Sequence, residues 1–247
     1  MKNSLRISCV ILLILLIHSC KKGDDNPFSM TDKDGNVYTS VTIGTQVWLV
    51  ENLKTTKYRN GDLIGTTTPS TLDITAETTP KYQWAYDGNE SNAATYGRLY
   101  TWYAVTDIRN LCPTGWHVPS DVEWTTLENY LIANGYNYDG TTTENKIAKS
   151  LATATNWTSS SNTGVVGNTD YSGKRNATGF SALPGGSRDG NGTFNGFLSF
   201  YGIWWSSTES DYDQYMALLR YIHADNSYLD AGGYLKVSGA SVRCVMD

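Results

Sequence analysis

The 247-residue sequence predicts an α+β domain built on a mixed, mainly antiparallel sheet with two or three helices and long loops. Three observations carry that expectation. Helical spacing is confined to the first half of the chain. From Asn156 onward short apolar runs alternate with Gly, Asn, Asp and Ser. No internal repeat and no Pro-rich or Gly-rich linker divides the chain, so both halves belong to one domain.

The first nineteen residues carry Lys2 and Arg6, then the apolar run Val10 to Ile17, then Ile17-His18-Ser19-Cys20, the order of a cleaved export signal. The apolar run would rise only about 12–17 Å as a helix, roughly half of a ~30 Å hydrocarbon core. A leader is therefore expected over 1–19, ending in a lipoprotein-type box that makes Cys20 the lipidated, palmitate-bearing residue. Residues 20–30, beginning Cys20-Lys21-Lys22-Gly23-Asp24-Asp25-Asn26-Pro27, read as a flexible tether. The folded domain is expected over 31–247. These features lead one to expect a protein outside the cytoplasm, anchored by lipid at the outer membrane, with exposure at the cell surface one of two open orientations.

Along the domain, Asp34-Gly35 is a turn into a strand through Val37 and Ile43. A calcium loop there is disfavoured, since Gly35 is fourth from Asp32 and no glutamate is twelfth. Gly44-Thr45 turns the chain into Gln46–Val50, completing a hairpin. Residues 54–80, rich in Thr, are an irregular excursion, followed by a short strand within 81–86. Leu99, Trp102, Tyr103 and Thr106 suit one helical face over 94–107. The next helix is the clearest, with Ser120-x-x-Glu123 as a capping box, Trp124, Leu127 and Leu131 as its face, and Asn134-Gly135 as its stop. A third helix is expected over 144–152. Strands follow at 180–183, 203–206, 215–222 and 240–246, with loops at 158–178 and 185–200.

Without Lys2 and Arg6 the 19 basic residues fall to 17 against 24 acidic, a net charge of about −7, and no basic stripe is visible, which excludes nucleic acid as a partner. The 17 Tyr and 8 Trp, with plentiful Gly, Thr, Ser and Asn, suit a loop-rich extracellular domain. With Cys9 in the leader and Cys20 lipidated, Cys112 and Cys244 remain in the domain. In an oxidising compartment such a pair usually forms a disulfide, the alternative being two free buried thiols.

Several segments together resemble one known family. They are Asp34-Gly-Asn-Val-Tyr, Ile43-Gly-Thr-Gln-Val-Trp, Glu51-Asn-Leu-Lys-Thr-Thr-Lys-Tyr, Gly97-Arg-Leu-Tyr-Thr-Trp-Tyr-Ala-Val, Leu111-Cys-Pro-Thr-Gly-Trp-His-Val-Pro-Ser, Glu123-Trp-Thr-Thr-Leu, Gly179-Phe-Ser-Ala-Leu-Pro-Gly-Gly-Ser-Arg, Trp204-Trp-Ser-Ser-Thr-Glu and Ser241-Val-Arg-Cys. In this order, from about residue 32 to the C-terminus, they resemble the Fibrobacter succinogenes major paralogous domain of Bacteroidetes and Fibrobacteres lipoproteins. The resemblance implies a C-type-lectin-like fold, distantly related to formylglycine-generating sulfatase-modifying domains, and supports a Cys112–Cys244 bridge. It implies little about activity, because one fold hosts unrelated functions.

Formylglycine chemistry needs two free thiols, and the corresponding segment 183–194 has no cysteine. His117 and His223 have no close-spaced partner for zinc or catalysis, so His117 is expected to pack and make a backbone hydrogen bond, and His223 to lie at a strand end. Glu209, Asp211 and Asp213 form the nearest carboxylate cluster, a possible calcium site whose alternative is a solvated loop; no other cofactor is implied. Arg188, Asp189, Asn191, Tyr201, Trp205, Tyr212 and Tyr215 are the candidates for stacking on and orienting a ligand. Arg243 is expected to be an ion-pair partner or an exposed strand residue. The sequence thus indicates a non-enzymatic, surface-anchored binding or adhesion lipoprotein recognising extracellular glycans or proteins. The alternative is a structural subunit or tip component of a cell-envelope assembly.

Overall fold

The computed structural model describes residues 30–195 and 197–247. The export signal, Cys20 and the tether up to residue 29 lie outside the described residues. The domain has the α+β architecture expected, with small antiparallel sheets and four helices.

The chain enters through β1 (Met30–Thr31) and β2 (Val37–Tyr38), joined by a turn that Asp32 organises. Its carboxylate accepts from the backbone of Asp34 at 2.9 Å and Asn36 at 3.0 Å and from the Tyr38 hydroxyl at 2.7 Å. These acceptor sites serve a turn, as expected. β3 (Ser40–Ile43) and β4 (Gln46–Leu49) form the anticipated hairpin. Its Gly44 has φ 63°, and a Cβ there would stand 2.8 Å from the Tyr130 ring, so both conformation and space require glycine.

β5 (Gln83–Trp84) lies in the predicted short-strand window. The helix expected over 94–107 is instead three elements: α1 (Glu90–Tyr96), β6 (Leu99–Thr101) and α2 (Trp102–Val105). Gly97, at φ 81°, ends the first helix, and Leu99 and Tyr100 pair with β5, so tertiary pairing overrides helical spacing. After β7 (Trp116–His117), α3 (Asp121–Ala133) matches its expected bounds. Ser120 Oγ accepts from Glu123 N at 3.3 Å while Glu123 accepts from Ser120 N at 2.8 Å, closing the capping box. Only the single turn α4 (Ala148–Leu151) survives of the helix expected over 144–152, because Glu144 sits at φ 64°, outside helical space.

The second half also departs in detail. Segment 180–183 forms no strand beyond an Ala182–Ala152 bridge, since Gly179 and Ser181 both have positive φ. The loop expected over 185–200 contains the short strands β8 (Ser187–Arg188) and β9 (Phe194–Asn195). β10 (Tyr201–Glu209) and β11 (Met216–His223) contain the predicted runs, and β12 (Asp230–Leu235) adds an edge strand that its Asp-Ala-Gly-Gly sequence conceals. The final segment divides into β13 (Gly239–Ala240) and β14 (Val245–Met246). Between them, Ser241 bonds to the β10 backbone, Val242 O accepts from Leu53 N at 2.9 Å and Cys244 O accepts from Leu49 N at 3.0 Å. Each residue thus serves a different partner, which extends the chain without making one long strand.

The sheet β10–β11–β12 separates two cores. Trp204 and Ile222 face α3, in a cluster where Trp48, Trp124, Phe180 and Trp204 meet at ring-centroid distances of 4.8–6.3 Å. Trp205, Ala217 and Leu219, on the opposite face by strand alternation, join Tyr100, Trp116 and both cysteines in the other cluster. Arg243 is fully buried and, among the described residues, no carboxylate stands within ion-pair distance of it, Glu51 acting on it only at longer range. It donates to Asn52 Oδ1 at 2.8 Å and to the Leu49 and Phe180 carbonyls, and lies 4.3 Å over the Phe180 ring. It is neither an ion-pair partner nor an exposed residue.

Cys112 and Cys244 form a disulfide across a separation of 132 residues. In the chain-entropy description a loop of that length contributes about 4–5 kcal/mol. The Cys112→Ser/Cys244→Ser protein should therefore unfold at a markedly lower urea midpoint, by a free-energy difference of about 3–5 kcal/mol; an unchanged midpoint would show that the bridge adds nothing to the native fold.

Candidate ligand cleft

One face of β10–β11–β12 is covered at one end only. Registers Trp205↔Leu219, Ile203↔Tyr221 and Leu219↔Gly232 place Tyr201, Ile203, Leu219, Tyr221, Gly232 and Tyr234 on that face. Trp205 and Ala217 close it into the core. Beyond them the face opens into a cleft of about 440 Å³, floored by Ile203, Leu219 and the glycines and walled by Phe197, Tyr201, Tyr221 and Tyr234. Small-molecule sites fall in the range of about 300–1,000 Å³.

Polar groups behind the walls hold the rings in place. The Tyr234 hydroxyl donates to Asp189 Oδ1 and lies 3.2 Å from Ser187 Oγ, while Asn195 Nδ2 donates to Asp189 Oδ2. Tyr221 stands directly opposite Asp230 in the β11–β12 register, with the carboxylate beside its phenol. Burial and these carboxylates push both phenols above their ordinary pKa, so they are neutral donors. Tyr201 packs edge-on against Phe197 at 5.3 Å and lies 6.3 Å from Tyr221. Phe197, 56 % exposed, is held at φ 117°, a backbone conformation that costs a non-glycine residue free energy and is concentrated at ligand sites.

The structure sorts the residues expected at a ligand face. Tyr201 lines the cleft and Asp189 supports its wall. Arg188 does not reach a ligand face: it is buried, stacked 4.1 Å over Trp84 and donating to the Ser70, Leu72 and Asp189 carbonyls. Trp205 is likewise corrected to a core residue, with Nε1 donating to Tyr100 O at 2.7 Å and its ring 5.9 Å from Tyr234. Asn191 caps the β8–β9 turn by accepting from Thr193 N at 2.9 Å. Tyr212 and Tyr215 are exposed, but in the β10–β11 connection at the other end of these strands, so they do not join Tyr201.

Glu209, Asp211 and Asp213 do not converge. Glu209 pairs with Lys236 at 3.0 Å and Asp213 accepts from Tyr215 N at 2.8 Å within the turn. Among the described residues no three His, Cys, Asp or Glu side chains form a group that could hold a metal ion. Sequence reasoning missed Phe197, Tyr221, Tyr234 and the Gly232-Gly233 floor. The alternation Tyr201-x-Ile203 and Leu219-x-Tyr221 signals one shared face, but its partner strand β12 carries no such signal.

His223 ends β11, as expected, stacked against Phe200 at 5.5 Å. His117 departs from expectation: its Nδ1 lies 2.7 Å from Asp247 Oδ1 and its Nε2 2.8 Å from Glu123 Oε1, joining β7, α3 and the C-terminus. Burial works against its protonation, but the two carboxylates outweigh burial and raise its pKa above the ordinary value. Burial likewise opposes ionisation of Glu123, and the Ser120 and His117 bonds outweigh it and lower its pKa.

The structure is thus an α+β domain whose three-stranded sheet carries an aromatic-walled cleft. The chain belongs to the Fibrobacter succinogenes major domain family, whose model matches residues 41–246. No curated protein and no solved structure matches the chain.

Two measurements follow from this geometry. Trp205→Ala should cost about 3–5 kcal/mol in urea unfolding, the range for emptying a buried aromatic site, whereas a surface residue would cost little. The His117 contribution is fully present below about pH 6.5 and is lost as pH rises through the raised folded pKa. The urea midpoint should therefore fall between pH 6 and pH 9 by more in the native protein than in His117→Asn; equal slopes would refute the assignment.

Proposed function

We propose that this domain is a non-catalytic recognition module of an exported lipoprotein, holding a small group of an extracellular glycan or protein in the cleft on β10–β11–β12. One observation carries the reading: four aromatic walls enclose a concave site of about 440 Å³ whose polar groups are already hydrogen-bonded to one another. Such a site offers flat apolar faces and fixed acceptors, the means by which proteins stack on and orient small polar ligands. The C-type-lectin-like assignment rests on the ordered sequence blocks, and membrane attachment on the box ending at Cys20. Among the described residues no helix is long and apolar enough to cross a membrane.

The envelope-assembly reading draws on β12, which is paired on one side only and leaves a sheet edge to which another chain can add a strand. A charged substitution at Leu235, exposed on β12 and outside the cleft lining, tests that edge separately from the cleft.

The decisive variant for the cleft is Gly232→Leu. A Cβ at Gly232 meets its nearest neighbour, the Tyr221 ring, at 3.4 Å, an ordinary contact, so the larger side chain should fill the cleft and leave the fold intact. On glycan and peptide arrays, binding by the secreted chain carrying Cys20→Ser should fall by tenfold or more, on the order of 1.4 kcal/mol, when Gly232→Leu is added. Full binding by a folded Gly232→Leu protein would place the ligand elsewhere.

A further inference from the structure

The charge pattern around the cleft is one-sided. Its described lining residues include no Lys, Arg or His. The ionisable groups beside its walls are two carboxylates, Asp189 behind Tyr234 and Asp230 opposite Tyr221, and His223, 5.2 Å from Tyr201, whose pKa burial lowers so that it adds no positive charge at neutral pH. Arg188, next to Asp189 in sequence, stacks on Trp84 and donates to the Asp189 carbonyl at 2.9 Å, so it offsets part of the Asp189 charge from within the core without lining the cleft. A ligand in the cleft therefore meets the electron-rich faces of tyrosine and phenylalanine rings and, through two phenols, the negative field of two carboxylates. That combination repels phosphate, sulfate and carboxylate groups and attracts a cation.

The kind of cation is set by the hydrogen-bond inventory. Both oxygens of Asp189 already accept, one from Tyr234 and one from Asn195, and Asp230 accepts from Ala231 N at 3.0 Å with the Tyr221 phenol beside it. A primary ammonium carries three strong donors and loses water for each one left unpaired. A quaternary ammonium has no donor to satisfy and gains its free energy from ring faces and long-range attraction. Tyr221 and Tyr234 also stand on one face of the sheet, with Tyr221 opposite Asp230 and Tyr234 four residues further along β12, a span of roughly 13 Å between backbone positions, which leaves room between the rings for a group with a methylated head.

We infer that the cleft binds a quaternary ammonium group through the rings of Phe197, Tyr201, Tyr221 and Tyr234, with Asp189 and Asp230 supplying the compensating charge. This rests on the reading of the cleft as the ligand site.

Calorimetry on the secreted chain carrying Cys20→Ser should show saturable binding of choline, and binding at least about tenfold weaker for 3,3-dimethylbutanol, its uncharged isostere. Tyr201→Leu keeps apolar area but removes a ring face, and Asp230→Asn removes a charge. Each should weaken choline binding severalfold while leaving the far-ultraviolet circular dichroism unchanged, and Gly232→Leu should abolish it. Co-sedimentation with phosphatidylcholine vesicles then distinguishes sources: recovery with vesicles identifies a lipid headgroup, and choline binding without vesicle binding identifies a free or polymer-borne group. Equal affinity for choline and its isostere overturns the inference. So does an absence of choline binding, whatever the arrays show. In that case array binding lost on Gly232→Leu keeps the cleft reading, and array binding that survives the variant removes both.

Discussion

The domain depends on a buried polar junction centred on Asn52. Its Oδ1 accepts from the Arg243 guanidinium at 2.8 Å and from Trp204 Nε1 at 2.8 Å, while its Nδ2 donates to Tyr96 O at 2.8 Å. Four stretches far apart in sequence thereby meet at one amide: the segment after β4, the end of α1, β10 and the C-terminal segment. Burial pushes the Arg243 guanidinium below its ordinary pKa, to about 9, and it remains a cation at neutral pH. A buried cation is tolerated only when its donors find acceptors, and here two bonds reach Asn52 Oδ1 and one each the backbone carbonyls of Leu49 and Phe180. The geometry of the two aromatic clusters on either side follows from this fixed point.

Legibility in the sequence followed the range of the forces involved. Where a local signal decides, as in the Ser120–Glu123 capping box or the Gly44 turn, bounds read from the residues agree with the structure. Where distant pairing decides, they do not: Leu99–Thr101 has helical spacing and becomes a strand because β5 and β13 flank it. The candidate site shows the same division. Tyr201 was legible as a loop-proximal aromatic. Trp205, equally aromatic and on the same face of β10, belongs to the core because it stands four residues further along, at the covered end beside Ala217 and Leu219. Arg188 is concealed for a related reason, since nothing in its neighbours reveals that Trp84 and the Ser70 and Leu72 carbonyls will enclose it.

One strand pair therefore does two jobs along its length. Toward the Trp205 end its inner face is sealed by core residues. Toward the Tyr201 end the same face is left open, and the side chains there are held by carboxylates set behind them. Core packing and the open cleft are separated by position along a strand, a spacing of a few residues, instead of by division into domains. The glycines of β12 are part of that arrangement, because larger residues opposite Leu219 would extend the sealed region across the opening.

The covalent link between Cys112 and Cys244 encloses nearly every residue of the cleft, together with the long irregular stretches around residues 158–178 and 185–200. A backbone cut anywhere within that span leaves both pieces attached to each other. Because closure entropy grows only slowly with length, insertions in the same stretches also add little thermodynamic cost. A domain tied in this way can endure nicking by proteases, and its loops are free to lengthen while the frame that presents them stays constant.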